Sequence, residues 1–172
     1  MVRHRRKRSG WIIAAIVLAA VVISLRWWLG EARDRAYATN CLANAKQLTL
    51  AMQMYADDNE GRLPPAATWP GAVWPFCKNE GIYTCPLDFR QNPTHGPKRL
   101  DHMHGSFGMN RRLSLQPLQK SPAPLLLFEA EQPAGDLSDA AFRHFGGLNV
   151  GFADGHAVWL SREDFMALSL KP

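Results

Sequence analysis

Three ionisable side chains near the C-terminus have the types that acid–base chemistry needs. The imidazoles of His144 and His156 are of the type that serves as a general acid or base, and a carboxylate such as Asp154 can orient an imidazole. Asp154 and Gly155 are also typical of a tight turn, since Asp bonds its own backbone and Gly tolerates a positive φ. Because the turn explains these residues and no hydrolase, phosphate-loop or zinc-protease motif occurs, we expect no catalytic residue and no enzyme activity.

A second group of polar side chains lies in the segment KRLDHMHGSFGMN. His102 and His104 share a face if this segment is extended, and His95 and Asp101 are close in sequence. Imidazole and carboxylate groups bind transition metals. Loop histidines without a fixed spacing more often face solvent, however, so we predict no metal ligand and no cofactor.

One long helix must position the rest of the chain. Residues 11–25 contain no charge, and no proline occurs before Pro64, so we predict a continuous helix from Trp11 to about Asp58. In its outer half apolar residues recur every three or four positions, which predicts one buried face. That face contains Tyr37, Cys41, Ala45, Leu48, Met52 and Tyr55.

The N-terminal sequence predicts a membrane anchor. A basic lead (residues 1–10) precedes an apolar segment (residues 11–29), and the head follows as residues 30–172. A cleaved secretory signal would end in small residues, which the sequence LRWW after the apolar run does not provide. Because basic residues beside a span stay in the cytoplasm, we expect a single-pass protein of the cell inner membrane with an exported head.

The charge distribution separates the lead from the head. Five of the 20 basic residues lie in the lead, and the other 15 equal the acidic residues in number. A neutral head lacks the clustered positive charge that phosphate binding needs, so we predict membrane lipid and no nucleic acid as a partner. The cysteines, three in number, are too few for a disulfide scaffold.

Short apolar stretches bounded by Gly, Pro and Asp-Gly pairs predict an antiparallel sheet, and hence an α+β fold. Before the sheet we predict a short helix at residues 71–79 and a short strand at residues 82–85. We also predict a flexible loop at residues 132–139 and a last helical turn capped by Ser161. The strands of the sheet are predicted at residues 106–110, 125–129, 148–153 and 156–160.

Several motifs follow one another after Tyr37: CLANAKQLTLAMQMYADDNEGRLPP, YTCPLD, GSFGMN, PAPLLLFEA and RHFGGLNVGFADGHAVWL. In the last motif nine residues separate His144 from the pair Asp154 and Gly155. In combination they resemble the prepilin-type H-X9-DG family, which is related to type IV pilins and to the pseudopilins of type II secretion. The resemblance implies a pilin-like fold and a structural or assembly role. It also implies other pilin-like subunits and secretion or pilus assembly proteins as partners.

The N-terminus departs from this family. A prepilin leader ends in Gly, followed by an aromatic residue or Met, and a Glu lies five residues into the mature chain. Gly10 and Trp11 are the candidate leader-processing residues here, but Ala15 occupies the position of the Glu. Ala15 supports an alternative function, a monomeric membrane-tethered exported binding module whose pilin-like head no longer assembles.

The resemblance also bears on the cysteines. Cys41 lies on the predicted packing face and Cys85 in the YTCPLD motif, so a pilin-like fold could bring them together, and an exported head permits a disulfide. We expect a Cys41–Cys85 bond, with a local Cys77–Cys85 bond as the alternative.

The signature residues themselves are expected to act separately. An extended strand over residues 148–153 would hold the turns at its two ends roughly 20 Å apart. Asp154 should therefore bond within its own turn, and His144 should bond locally or pack against the helix.

Overall fold

The computed structural model describes residues 3–91, 105–132 and 134–169. His95, Asp101, His102 and His104, the residues considered above as metal ligands, lie outside the described residues. The chain divides into two compact units, Met1–Ala36 and Tyr37–Pro172.

The first unit contains the N-terminal part of helix α1, which runs from Arg3 to Asp58. The helix is continuous as predicted, and it begins before Trp11 because residues 3–10 of the basic lead are helical too. Its large apolar side chains from Trp11 to Leu29 are exposed. An 18-residue window has a mean hydropathy of 2.3, and none of it is buried. The helix is therefore long and apolar enough to cross a membrane.

The second unit begins with the outer part of α1, residues 37–58, which we call the stem. Its predicted buried face is confirmed, and Asn44 and Thr49 widen it. After the stem ends at Asp58, Gly61 caps it: its φ is 74°, and its N–H donates to the carbonyl of Ala56 at 2.8 Å. This is the left-handed cap that glycine favours. The residues of the predicted face that are fully buried are Cys41, Ala45, Leu48 and Met52.

Short helices connect the stem to the sheet. The strand predicted at residues 82–85 is wrong, because a 3-10 helix spans Glu80–Tyr83. The side chain of Asn79 accepts the N–H of Gly81 at 3.0 Å, and this local bond favours a helical turn over an extended chain. On either side lie α2 (Trp69–Cys77), which agrees with the predicted helix, and α3 (Pro86–Gln91).

Five strands form one sheet in the second unit. They are β1 (Phe107–Asn110), β2 (Leu125–Glu129), β3 (Ala134–Gly135), β4 (Gly147–Phe152) and β5 (Ala157–Ser161). Their order is β3-β1-β2-β4-β5, with the fully buried β2 in the centre. The pairs β1–β2, β2–β4 and β4–β5 are antiparallel, as predicted.

The edge strand β3 corrects two predictions. It pairs in parallel with β1, so the sheet is mixed and not purely antiparallel. Its residues also lie in the segment that we predicted as a flexible loop. The strand forms here because Gly135 has no side chain and lies directly against the ring of Phe128.

Further short elements complete the second unit. Helix α4 (Arg162–Ser169) is capped as predicted, since the N–H of Asp164 donates to Oγ of Ser161 at 3.1 Å. Additional 3-10 helices span Arg111–Leu113 and Leu137–Asp139. The fold of this unit is α+β, with the stem packed on the sheet.

The stem contacts β4 through a glycine. A Cβ atom at Gly151 would overlap Oγ1 of Thr49, so only glycine allows the helix to lie this close. Nearby, Nε2 of Gln53 donates to the carbonyl of Ala153 at 2.8 Å. Together these contacts fix the stem against the strand.

Candidate functional site: a buried cluster of cysteines, glutamate and histidine

Four chemically reactive side chains meet between the stem and the sheet. Cys41 lies on the buried face of the stem, and Cys85 lies directly before α3. Glu129 is the last residue of β2, and His144 precedes the turn into β4. We call these four residues the buried cluster. None is more than 1% exposed, and their sulfur, oxygen and nitrogen atoms lie within 4.8 Å of one another.

The contacts within the buried cluster form a chain. The Sγ atoms of Cys41 and Cys85 are 2.6 Å apart. Sγ of Cys85 is 3.3 Å from Nε2 of His144, and the same Nε2 is 2.9 Å from Oε1 of Glu129. The sulfur atoms thus form one end of the chain and the carboxylate the other.

Pairing between β2 and β4 places the carboxylate. The backbone N–H of Asn149 in β4 donates to Oε2 of Glu129 at 2.8 Å. With His144 on Oε1, both oxygens of this fully buried group have partners. A buried carboxylate requires hydrogen-bond partners on both oxygens, because removing an unpaired one from water costs free energy.

A tight turn places the histidine. Phe145 and Gly146 both have positive φ, at 52° and 77°, and the backbones of His144 and Gly147 exchange two hydrogen bonds across them. Both positive φ values match a type I′ hairpin turn. The indole N–H of Trp159 in β5 also donates to the carbonyl of His144 at 2.9 Å, which holds this backbone in place.

A polar network holds the loop that carries Cys85. Its backbone N–H donates to Oγ of Ser106 at 2.8 Å, and the Ser106 hydroxyl donates to Asp88 at 2.6 Å. Asp88 forms a buried ion pair with Arg143 at 3.4 Å. The position of Cys85 is therefore set by contacts independent of the other cysteine.

Burial and mutual contacts set the ionisation of the buried cluster. Burial raises the pKa of Glu129, although the hydrogen bond from His144 opposes this. Burial lowers the pKa of His144, but its bonds to Cys85 and Glu129 outweigh that effect and bring it to about 9. The hydrogen bond from Cys41 lowers the pKa of Cys85 to about 4, and the same bond raises the pKa of Cys41. Of the two thiols, Cys85 therefore loses its proton first.

A Cys, His and Glu together suggest a nucleophilic triad, but the geometry does not support one. In a triad the base contacts the nucleophile through one ring nitrogen and the orienting carboxylate through the other. Here Cys85 and Glu129 both contact Nε2 of His144, and Nδ1 has no partner among the described residues. Sγ of Cys85 is also buried, so a substrate has no access to it.

The remaining signature residues lie elsewhere. Oδ1 of Asp154 accepts the N–H of His156 at 3.1 Å within the exposed turn between β4 and β5. The hydrogen bond from this N–H lowers the pKa of Asp154. Gly155 has a φ of 92° in the same turn. Asp154 and His144 thus have separate partners, as predicted, but the His144 side chain bonds to Glu129 and Cys85, which are distant in sequence, and not to local groups.

The other predicted residues lie in both units of the chain. Gly10 and Trp11 are exposed on the first unit, where Trp11 is 79% exposed. Cys77 lies in α2, with Sγ 3.0 Å from the hydroxyl of Tyr83. Of the two cysteine pairs that we considered, the fold brings Cys41 and Cys85 into contact.

Sequence reasoning missed Glu129 and His144 as partners in this cluster. One signal was present, because Glu129 ends an otherwise apolar strand that was predicted to be buried. A carboxylate at such a position needs a partner.

Comparisons with protein-family models, with curated proteins and with solved structures found no match for the chain.

Proposed function

We propose that this protein is a membrane-anchored, pilin-like structural or assembly protein of an export or surface-fibre system. One observation carries the proposal. A single helix, α1, has exposed apolar side chains on all sides from Trp11 to Leu29 and one buried face in the stem. A helix that is apolar all round needs lipid around it, whereas a one-sided face needs a sheet to pack on.

The basic lead supports an orientation for this anchor. The lead contains Arg3, Arg5, Arg6, Lys7 and Arg8 directly before the apolar segment. Positive charges next to a span are retained in the cytoplasm. Trp11 at one end and Trp27 and Trp28 at the other have the ring type that prefers the lipid interface. The lead is cytoplasmic, the anchor lies in the inner membrane, and the head is exported.

Protease protection tests the orientation. Protease added to intact spheroplasts should digest the head and leave the lead protected, and detergent lysis should expose both. The control is an epitope on the lead, read in parallel with one on the head. Loss of the lead epitope while the head stays protected would show the opposite orientation.

Ala15 favours a second candidate function, a monomeric membrane-tethered binding module. In the family that the motifs resemble, a buried Glu at this position pairs with the N-terminal amine of a neighbouring subunit. Ala15 provides no carboxylate for such a pair. A subunit that does not polymerise also avoids the cost of a charge within the span.

The mature N-terminus distinguishes the two candidates. Mass spectrometry of the membrane fraction should find the chain uncleaved or poorly cleaved after Gly10, and the protein should form no filaments alone. The double variant Trp11→Phe/Ala15→Glu should improve processing. A matched control, Trp11→Phe/Ala14→Glu, places the same charge one residue away and should not. Efficient cleavage of the unmodified protein would instead favour an ordinary pseudopilin.

A further inference from the structure

We infer that Cys41 and Cys85 form a disulfide bond that joins the stem covalently to the loop before α3, and that the buried cluster is not a metal centre. The inference rests on the proposed function in one respect, because it needs a head exported to an oxidising compartment. The alternative is a zinc site, since two cysteines, a histidine and a glutamate are also a zinc ligand set.

The distance between the sulfur atoms favours the bond. Two thiolates on one tetrahedral zinc ion, each about 2.3 Å from the metal, lie about 3.8 Å apart. The Sγ atoms of Cys41 and Cys85 are 2.6 Å apart, too close for a shared ion. A covalent bond requires about 2.05 Å, so forming it needs about half the change in the Sγ–Sγ distance that zinc binding would need.

The ring of His144 points to the same conclusion. To bind a metal through Nε2, the ring must carry its proton on Nδ1, and metal-bound histidines normally donate that proton to an acceptor. Nδ1 of His144 is buried and has no acceptor among the described residues. Without a metal, Nε2 keeps the proton and donates it to Oε1 of Glu129 at 2.9 Å. Nε2 of His144 and Oε1 of Glu129 therefore satisfy each other without a metal.

Oxidation also removes an electrostatic conflict. As thiols, the cysteines place an acidic group, Cys85, in the same buried space as the Glu129 carboxylate. The charge of Cys85 raises the pKa of Glu129, and the charge of Glu129 raises the pKa of Cys41. A disulfide carries no charge and loses no proton. The buried cluster then contains one titrating pair in place of three interacting acids and a base.

The third cysteine has its own environment. Sγ of Cys77 lies 3.0 Å from the hydroxyl of Tyr83 and 3.5 Å from the carbonyl of Val73. The contacts of Cys85 are instead with Cys41 and His144. Cys77 therefore stays a thiol.

The reaction requires an oxidant with a disulfide of its own. The thiols of Cys41 and Cys85 lose two protons and two electrons, and one S–S bond forms between them. The disulfide of the exchange partner takes up the same protons and electrons, so its S–S bond breaks to give two thiols. Both Sγ atoms are fully buried in the folded head, so the exchange takes place before the stem closes on the sheet.

Thiol trapping in the full-length protein tests the inference. Cells are quenched in acid, and the protein is denatured in the presence of N-ethylmaleimide, which blocks free thiols. The disulfides are then reduced, and iodoacetamide labels the released thiols before peptide mapping. We expect N-ethylmaleimide on Cys77, iodoacetamide on Cys41 and Cys85, and one Cys41–Cys85 cross-linked peptide without reduction. Cys77→Ser should keep this cross-link, and Cys41→Ser should lose it.

Free thiols at Cys41 and Cys85 would overturn the inference, and stoichiometric zinc in protein purified without reductant would assign the cluster to a metal. Protease protection on the same cells separates this failure from that of the proposed function. Free thiols in an exported head overturn the disulfide alone. Free thiols in a protected head overturn both, and a cross-link in a protected head overturns only the proposed topology.

Discussion

The two parts of α1 share one backbone conformation but differ in what surrounds their apolar side chains. Leu18 in the first unit is 65% exposed, whereas Leu48 in the stem is fully buried. Between Trp11 and Leu29 apolar residues occupy all sides of the helix, whereas the stem has one buried apolar face, outside which Leu50 and Met54 are exposed. Periodicity alone therefore distinguishes a segment that needs lipid from one that needs a sheet.

The largest expected effect comes from placing a charge in each part. Leu48→Asp puts a carboxylate without a partner in the core, which should cost about 5 kcal/mol or more. Because small domains are only about 5–15 kcal/mol stable, the head should fail to fold. Leu18→Asp should leave head unfolding unchanged and weaken membrane insertion by about 3 kcal/mol.

Thermal unfolding of the solubilised protein and carbonate extraction of membranes measure these two effects. Loss of head stability in Leu18→Asp would contradict the division into two separately stabilised regions.

Reduction should have the next largest effect, and only in the head. A bond across 44 residues removes chain entropy from the unfolded state, worth about 4 kcal/mol. Urea unfolding of the Cys77→Ser variant with and without dithiothreitol measures this difference. Dithiothreitol should not change the free energy of unfolding when Cys41→Ser is added to the same background, because that protein has no Cys41–Cys85 bond to reduce. An equal response of both variants would show that the reductant acts elsewhere.

A glycine substitution tests how closely the stem approaches the sheet. Gly151→Ala would place Cβ against Thr49 and should cost about 1–3 kcal/mol through overpacking. Gly71→Ala is the matched control, because nothing lies within 4 Å of its Cβ position. In helix α2 the control should be neutral or stabilising by up to about 1 kcal/mol. Equal destabilisation by both changes, measured as urea midpoints, would mean that the Thr49 contact is unimportant.

Loss of a helix cap should have a smaller effect. Ser161→Ala removes the acceptor for the N–H of Asp164, which should cost about 1 kcal/mol of head stability. Ser161→Asn, which can also cap, should restore most of it. The shift in unfolding temperature measures both, and no difference between Ala and Asn would rule out the cap as the cause.

The smallest effect concerns acid stability. The N–H of His156 lowers the pKa of Asp154 below 3.8 in the folded head. The contribution of Asp154 is therefore complete above this value and is lost as the pH falls through the lower folded pKa. On acidification, the unfolding temperature of Asp154→Asn should decrease less than that of the unmodified protein, and the change should release no bound metal. Identical acid profiles of the two proteins would contradict this.

The sequence was sufficient to predict α1, which follows from local periodicity, and the four main strands, which follow from short apolar stretches between turn residues. It missed β3 and the 3-10 helix at Glu80–Tyr83, where a glycine contact and an asparagine cap decide the structure. For the site, the resemblance suggested that Cys41 and Cys85 would meet. Glu129 and His144 join them only through the register of β2 with β4, which pattern reading does not determine.

The close contact between Thr49 and Gly151 also limits how this chain can change in length during evolution. One residue inserted between Cys41 and Thr49 would turn Cys41 about 100° away from Cys85, and two whole turns would displace it by roughly 10 Å. Insertions before Tyr37 would disturb no contact described within the second unit. Helix length can therefore adapt to bilayers of different thickness while the chemistry of the head stays unaltered.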